Sequence, residues 1–237
     1  MPVYRLGRSI AFPPPEHAGP EGLVAFGGDL SIERLLTAYR EGIFPWYDRP
    51  PILWWCPDPR LVLYADELKV SRSLRTTIRK GIFETRVDTS FAEVIEACAS
   101  VPRAHEKGTW INRDMQRAYV ALHQAGYAHS IESWREGELL GGLYGVCVGR
   151  AFFGESMFSR RADASKVALV GLVAECQRRE ISIIDCQVST RHLVSLGARE
   201  ISRDQFLLEV RKLVREPLAA GRWAAGQRRS STGNSHA

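Results

Sequence analysis

Up to about residue 60 the chain shows little hydrophobic period, whereas beyond it apolar positions recur alternately at helical and at strand spacing. Ten of the twelve prolines lie at or before Pro59, and the runs Pro13-Pro14-Pro15, Pro50-Pro51 and Pro57-Asp58-Pro59 forbid long regular elements there. One helix is predicted in this stretch. It follows Ser31 as N-cap, buries Leu35, Leu36 and Tyr39, and stops at Gly42. The composition changes at Leu61-Val62-Leu63-Tyr64, so the expected organisation is a small irregular N-terminal α/β domain over residues 1–62 and a larger domain over residues 63–225. The class overall is α/β (α+β).

In the larger part Ser71 caps a helix reaching Lys80 and ended by Gly81, and residues 83–87 read as extended. Ser90 and Glu93 have capping-box spacing ahead of a helix with Val94, Ile95 and Cys98 on its apolar face. A further helix, residues 112–125, spaces Met115, Ala118, Tyr119 and Leu122 for burial, and reads as a packing helix without chemistry. Three period-2 runs (residues 128–134, 139–148 and 151–158) predict an antiparallel meander, the first two joined through Arg135-Glu136-Gly137-Glu138. Residues 166–179 are helical by spacing, residues 181–184 read as a buried strand, and residues 202–215 close the chain as a helix with Ser202 and Gln205 at capping-box spacing. The tail, residues 226–237, is expected to be disordered.

Composition narrows the class. With 45% hydrophobic and 25% charged residues the chain is a globular protein rather than a disordered or collagen-like one. Neither a signal-peptide apolar core nor a run of ~18 apolar residues occurs, so no membrane association is expected. The five cysteines are scattered and free of any C-x-x-C pair, which speaks against a zinc site or disulfide framework and fits a cytoplasmic location.

The net charge of +5 is unevenly placed. Residues 211–237 hold six cations and one anion, so residues 1–210 sum to zero. Within that neutral body Arg72, Arg75, Arg79 and Lys80 crowd four positive charges into nine residues without an acid. The three arginines fall at i, i+3 and i+7, on one helix face that suits a phosphate backbone, a solvated surface stripe being the plainer alternative.

Three segments break the local rules. Phe152-Phe153-Gly154-Glu155-Ser156-Met157-Phe158 places a carboxylate among aromatic and thioether side chains. Ile183-Ile184-Asp185-Cys186-Gln187 brings an acid and an amide, two residues apart, to the end of an apolar strand, hence to one face by strand alternation. The plainer alternatives are an ion pair of Glu155 with Arg150 or Arg160, and Asp185 capping the turn at residues 190–196. The third feature is tryptophan: Phe44-Pro45-Trp46-Tyr47, Trp54-Trp55-Cys56-Pro57 and Gly108-Thr109-Trp110-Ile111. Such aromatics fill cores in proline-rich domains, and they also stack on nucleobases, at ~1–3 kcal/mol per base.

These motifs, with Gly27-Gly28-Asp29-Leu30, Pro57-Asp58-Pro59-Arg60 and Gly154-Glu155-Ser156-Met157-Phe158-Ser159, occur in the order seen in the bacterial leucyl/phenylalanyl-tRNA–protein transferases. The chain resembles that family from about Phe12 to Arg211. The resemblance implies a larger domain of the GCN5-related N-acetyltransferase-like fold. It also implies transfer of leucine, phenylalanine and, less well, methionine from Leu-tRNA, Phe-tRNA or Met-tRNA to the α-amine of proteins beginning with Lys or Arg, marking them for degradation. By motif, Asp185 and Gln187 match the catalytic pair and Glu155 a polar active-site residue. Trp46 and Trp110 match aromatics near the aminoacyl-adenosine end. Phe152, Met157, Ser159 and Ile184 match the amino-acid pocket, with Leu143 and Leu172 as further candidates, and Arg72, Arg75, Arg79 and Lys80 suit the tRNA. An aminoacyl ester is already activated, so no metal or other cofactor is expected, and neither is an oligomer. In the mechanism this suggests, Gln187 orients the amine by its carbonyl while Asp185 fixes that amide and offsets the forming ammonium.

The rival readings are an acetyl-CoA-dependent N-acetyltransferase and a non-catalytic RNA-binding module. The first expects a glycine-containing pyrophosphate loop between strand and helix, where this chain has Ser159-Arg160-Arg161-Ala162-Asp163-Ala164-Ser165. The second leaves Glu155, Asp185 and Gln187 unexplained.

Overall fold

Proline breaks the first sixty residues into short strands: β1 (Tyr4–Leu6), β2 (Leu23–Gly27), β3 (Phe44–Pro45) and β4 (Leu53–Trp55), which form one sheet in the order β1-β2-β4-β3. The structure is a computed structural model and describes residues 3–100, 110–218 and 220–223. From Arg60 onward the strands belong to a second sheet. It comprises β5 (Arg60–Tyr64), β6 (Glu84–Val87), β7 (Ala128–Arg135), β8 (Glu138–Val148), β9 (Ala151–Ser159), β10 (Ile183–Gln187) and β11 (Arg199–Ile201), in the order β11-β5-β10-β9-β8-β7-β6.

Strand alternation divides the core between the faces of this sheet. Phe153 and Ile183 join one apolar cluster with α1 (Ile32–Arg40), α3 (Phe91–Ser100), α4 (Arg113–Gln124) and α7 (Arg203–Leu213). Phe152 and Ile184 join the other, with α2 (Arg72–Arg79) and α5 (Ala164–Arg178). A short helix, α6 (Arg191–Ser195), follows β10.

The caps expected at Ser31, Ser71 and Ser202 form, their side chains accepting from the N–H groups of Arg34, Leu74 and Gln205, although the Gln205 side chain donates to Glu209 instead of closing a capping box. Asn112 caps α4 as well, accepting from the N–H groups of Asp114 and Met115. Gly42, at φ 71°, ends α1, where a Cβ would lie 2.9 Å from the Phe206 ring of α7. The β7–β8 hairpin turns on Glu136 and Gly137, both at positive φ.

Two further local expectations change. The Ser90 N–H, which a capping box gives to Glu93, donates instead to Glu132 Oε1 of β7 (3.0 Å), a buried carboxylate that also accepts from the Thr89 N–H and the Ser130 hydroxyl. The strand expected at 181–184 runs later, as Ile183–Gln187, because pairing to both β5 and β9 carries it through Asp185. The tail at 226–237, with Gly108 and Thr109, lies outside the described residues.

Candidate active site

β9 and β10 run parallel and pair as Ile183↔Ala151, Ile184↔Phe152 and Asp185↔Phe153. Beyond that point the strands part. On the other side of β10 the register with β5 shifts between Asp185↔Val62 and Gln187↔Leu61, a β-bulge at Cys186. Gln187 takes φ 63°, a conformation uncommon for a non-glycine residue and concentrated at functional sites. A cavity of about 300 Å³ occupies the gap, lined by Gly154, Glu155, Ser156 and Met157 of β9 and by Ile184, Cys186 and Gln187 of β10.

The cavity has an apolar floor and an aromatic mouth. Leu143, Leu169, Leu172 and Ile184 are almost fully buried and line its interior, while Trp46, 40% exposed, and Trp110 stand at its edge. Trp46 packs edge-on against Trp55 (6.0 Å between rings), whose indole N–H donates to the Trp46 carbonyl oxygen.

The polar wall centres on Glu155, only 7% exposed. The Tyr39 hydroxyl of α1 donates to its Oε1 (2.7 Å), the Tyr119 hydroxyl of α4 to its Oε2 (2.9 Å), and Gln187 Nε2 to Oε1 (3.1 Å). The two tyrosine hydroxyls also touch each other. Burial pushes the Glu155 carboxyl up to about 7 despite these donors, which by themselves lower it. A carboxylate accepts only, so it fixes Gln187 with its amide nitrogen inward. The amide oxygen retains the free acceptor capacity.

Asp185 is placed differently from expectation. It does not line the cavity: its carboxylate is turned to Arg60, while Gln187, just past the bulge at Cys186, stands at the gap opposite Glu155, where β9 has a register shift of its own. Its Oδ1 accepts from Arg60 Nε (2.8 Å) and from the backbone N–H of Gln187 (2.9 Å), and its Oδ2 from Arg60 Nη2 (2.6 Å). The group that fixes the Gln187 amide is therefore Glu155, and Asp185 holds the Gln187 backbone. The plainer alternatives also fail: Arg150 pairs with Glu180 and Glu216, Arg160 donates to the Leu139 carbonyl, and Thr190 itself caps α6.

Of the expected pocket residues, Trp46, Trp110, Leu143, Met157, Leu172 and Ile184 line the cavity together. Phe152 and Ser159 do not. Phe152 is fully buried beneath it, its ring filling the space that a Cβ at Gly145 would take (2.5 Å). The Ser159 hydroxyl donates to the Arg161 carbonyl (2.7 Å) and accepts from the Ser165 N–H at the start of α5. Spacing alone places Tyr39 and Tyr119 in the core and not at the site; the available signal is that a buried tyrosine hydroxyl demands a partner and a buried carboxylate demands donors.

Arg72, Arg75, Arg79 and Lys80 lie exposed on or next to α2 and form no ion pair among the described residues. The first turn of α5 is no anion cradle: Ser159 takes one of its N–H groups, and the Asp163 carboxylate stands there, bonded to Lys166 and Thr77. Among the described residues no three metal-ligating side chains cluster, and no helix is long and apolar enough to cross a membrane.

A mixed α/β architecture thus carries an apolar cavity with a carboxylate–amide wall. Residues 62–211 match the family model described as leucyl/phenylalanyl-tRNA protein transferase, and residues 28–58 match the model for the N-terminal domain of the same proteins. The chain is 57% identical over 224 residues to a leucyl/phenylalanyl-tRNA–protein transferase of Syntrophobacter fumaroxidans, covering 94% of this chain and 96% of that one. It is 56% identical over 230 residues to the protein of that name from Chromobacterium violaceum, covering 96% and 98%. The chain belongs to the leucyl/phenylalanyl-tRNA–protein transferase family, a family of aminoacyltransferases.

Proposed function

We propose that this protein takes leucine or phenylalanine, and less efficiently methionine, from aminoacyl-tRNA and joins it to the α-amine of proteins beginning with Lys or Arg, so marking them for degradation. The observation that carries the reading is the pairing of an apolar cavity of about 300 Å³ with the Glu155-anchored amide of Gln187 at its wall.

The aminoacyl side chain enters the floor between Leu143, Met157, Leu172 and Ile184, and the terminal adenosine stacks at Trp46 and Trp110. The acceptor amine nitrogen then attacks the ester carbon. A C–N bond forms and the bond to the ribose oxygen breaks, with the amine proton passing to that oxygen, helped by the neighbouring 2′-hydroxyl. The ester supplies the driving force. An α-amine with a pKa of ~7.7–8.0 is already partly neutral near pH 7, so positioning supplies much of the rate. Gln187 Oε1 accepts from the attacking amine and orients it, while Glu155 offsets the positive charge that develops on nitrogen. With its oxygens already engaged by Tyr39, Tyr119 and Gln187, Glu155 is poorly placed to bind the acceptor's Lys or Arg side chain as well.

The proposal includes tRNA phosphates on Arg72, Arg75, Arg79 and Lys80, action as a monomer in the cytoplasm without a cofactor, and an acetyltransferase-like fold for the larger unit. The change of sheet between Trp55 and Arg60 supports two units, with the junction a few residues before the expected 62/63. The test is incubation with radiolabelled Leu-tRNA or acetyl-CoA and a peptide beginning with Arg. Label is expected on the peptide from Leu-tRNA alone, and acetylation would overturn the reading.

A further inference from the structure

We infer that Arg60 is a positioning residue for this reaction: its grip on Asp185 holds the Gln187 backbone in the left-handed turn from which the Gln187 side-chain amide reaches the cavity. The inference rests on the transferase reading above.

Arg60 is the first residue of β5 and is fully buried. Because Gln187 pairs with Leu61, Arg60 lies one residue beyond the bulge, where its guanidinium meets Asp185 edge-on through Nε and Nη2. The Phe44 and Phe206 rings enclose it, with centroids 4.8 and 4.3 Å from the guanidinium carbon. Its third nitrogen, Nη1, is buried without a partner.

Fold stability is a poor reason for this arrangement. A buried ion pair loses much of its attraction to desolvation, apolar replacements are often equally stable, and an orphaned donor adds a further penalty. What the pair does accomplish is local. Both oxygens of Asp185 are committed, one to Arg60 alone and the other shared between Arg60 and the Gln187 N–H. That backbone bond closes a two-residue loop around Cys186 and favours the positive φ of Gln187 over the extended conformation that would continue β10. Without the guanidinium the carboxylate is free to rotate and the turn relaxes. Misplacement of a reacting group by about 1 Å lowers a rate by about 100-fold.

The test compares wild type, Arg60→Lys, Asp185→Asn and the combined variant with Leu-tRNA and an Arg-initiated peptide, following kcat, KM for Leu-tRNA and hydrogen exchange at the Gln187 N–H. Lysine keeps the charge but loses the two-point grip. Arg60→Lys is expected to lower kcat at least ~10-fold with KM changed less than ~3-fold, to speed exchange at Gln187, and to cost nothing further in the Asp185→Asn background. Wild-type kcat in Arg60→Lys, or losses that simply multiply in the combined variant, would overturn the inference. Should Arg60→Lys not fold, Arg60→Met with Asp185→Asn removes both charges. Its kcat is expected to stay at the Asp185→Asn level, and recovery to the wild-type value would contradict the role. An inactive wild type counts against the transferase reading instead, and exchange at Gln187 then decides the inference alone: unchanged protection in Arg60→Lys overturns it.

Discussion

Gln187 donates its side-chain amide hydrogen to Glu155 across 3.1 Å, between two strands whose pairing ended two residues earlier. The contact spans the gap that forms the cavity, so the protonation state of one residue sets the orientation of the other.

Glu155 therefore makes both rate and stability depend on pH. Below about 7 its carboxyl carries a proton and loses acceptor capacity, which loosens Gln187. We predict that kcat falls as pH drops through about 7, and that Glu155→Gln lowers kcat and removes this limb, leaving the dependence of the acceptor amine near ~8. For stability, the folded protein keeps this proton up to about 7 and the unfolded chain only to its ordinary 4.5. The folded state binds more protons in between, so stability contributed here is present at low pH and lost as pH rises through that window, by roughly 3 kcal/mol in total. Urea midpoints at several pH values should show this loss in wild type and not in Glu155→Gln.

Tyr39 and Tyr119 reach the same carboxylate from different helices. Each Tyr→Phe change removes a donor to a buried acid, worth ~1.5–3 kcal/mol. We expect kcat lowered about 10-fold or more by each, with Leu-tRNA affinity unchanged, as measured by single turnover and filter binding. Wild-type rates in both variants would remove the tyrosines from the account.

Side-chain selection separates Met157 from Phe152. Met157 lines the cavity, so Met157→Ala should admit branched side chains and lower the Leu/Ile preference. Phe152 lies beneath it, so Phe152→Ala should destabilise the fold by ~3–5 kcal/mol and leave that preference in the surviving folded protein near the wild-type value. Competition between Leu-tRNA and Ile-charged tRNA, beside a melting curve, checks both.

On α2, neutralising Arg72, Arg75 or Arg79 should weaken tRNA binding and flatten the plot of log K against log salt by about one unit or less per lost contact. An unchanged slope would make the stripe an ordinary solvated face.

Much of this was legible in the chain. Caps at Ser31, Ser71 and Ser202 and the hairpin at Glu136-Gly137 follow from local chemistry, and the apolar floor follows from strand and helix period. The separation of Asp185 from Gln187 is not legible, because two-residue spacing implies one face only in an unbulged strand and nothing local announces the bulge at Cys186. Tyr39 and Tyr119 read as core because they are core. Their hydroxyls meet Glu155 only through the packing of α1 and α4 on the sheet, separations of 116 and 36 residues that no local pattern encodes. Arg60 carries no local sign of its role, since its partner stands 125 residues away.

Replacing Gln187 by alanine probes the reacting centre most directly, because it removes the one side chain assigned to touch the attacking amine while leaving the apolar floor and the arginine stripe in place. With Leu-tRNA and an Arg-initiated peptide, the account predicts that kcat falls about 100-fold or more while the Kd for Leu-tRNA stays within about threefold of wild type. A variant that transfers leucine at the wild-type rate would contradict it.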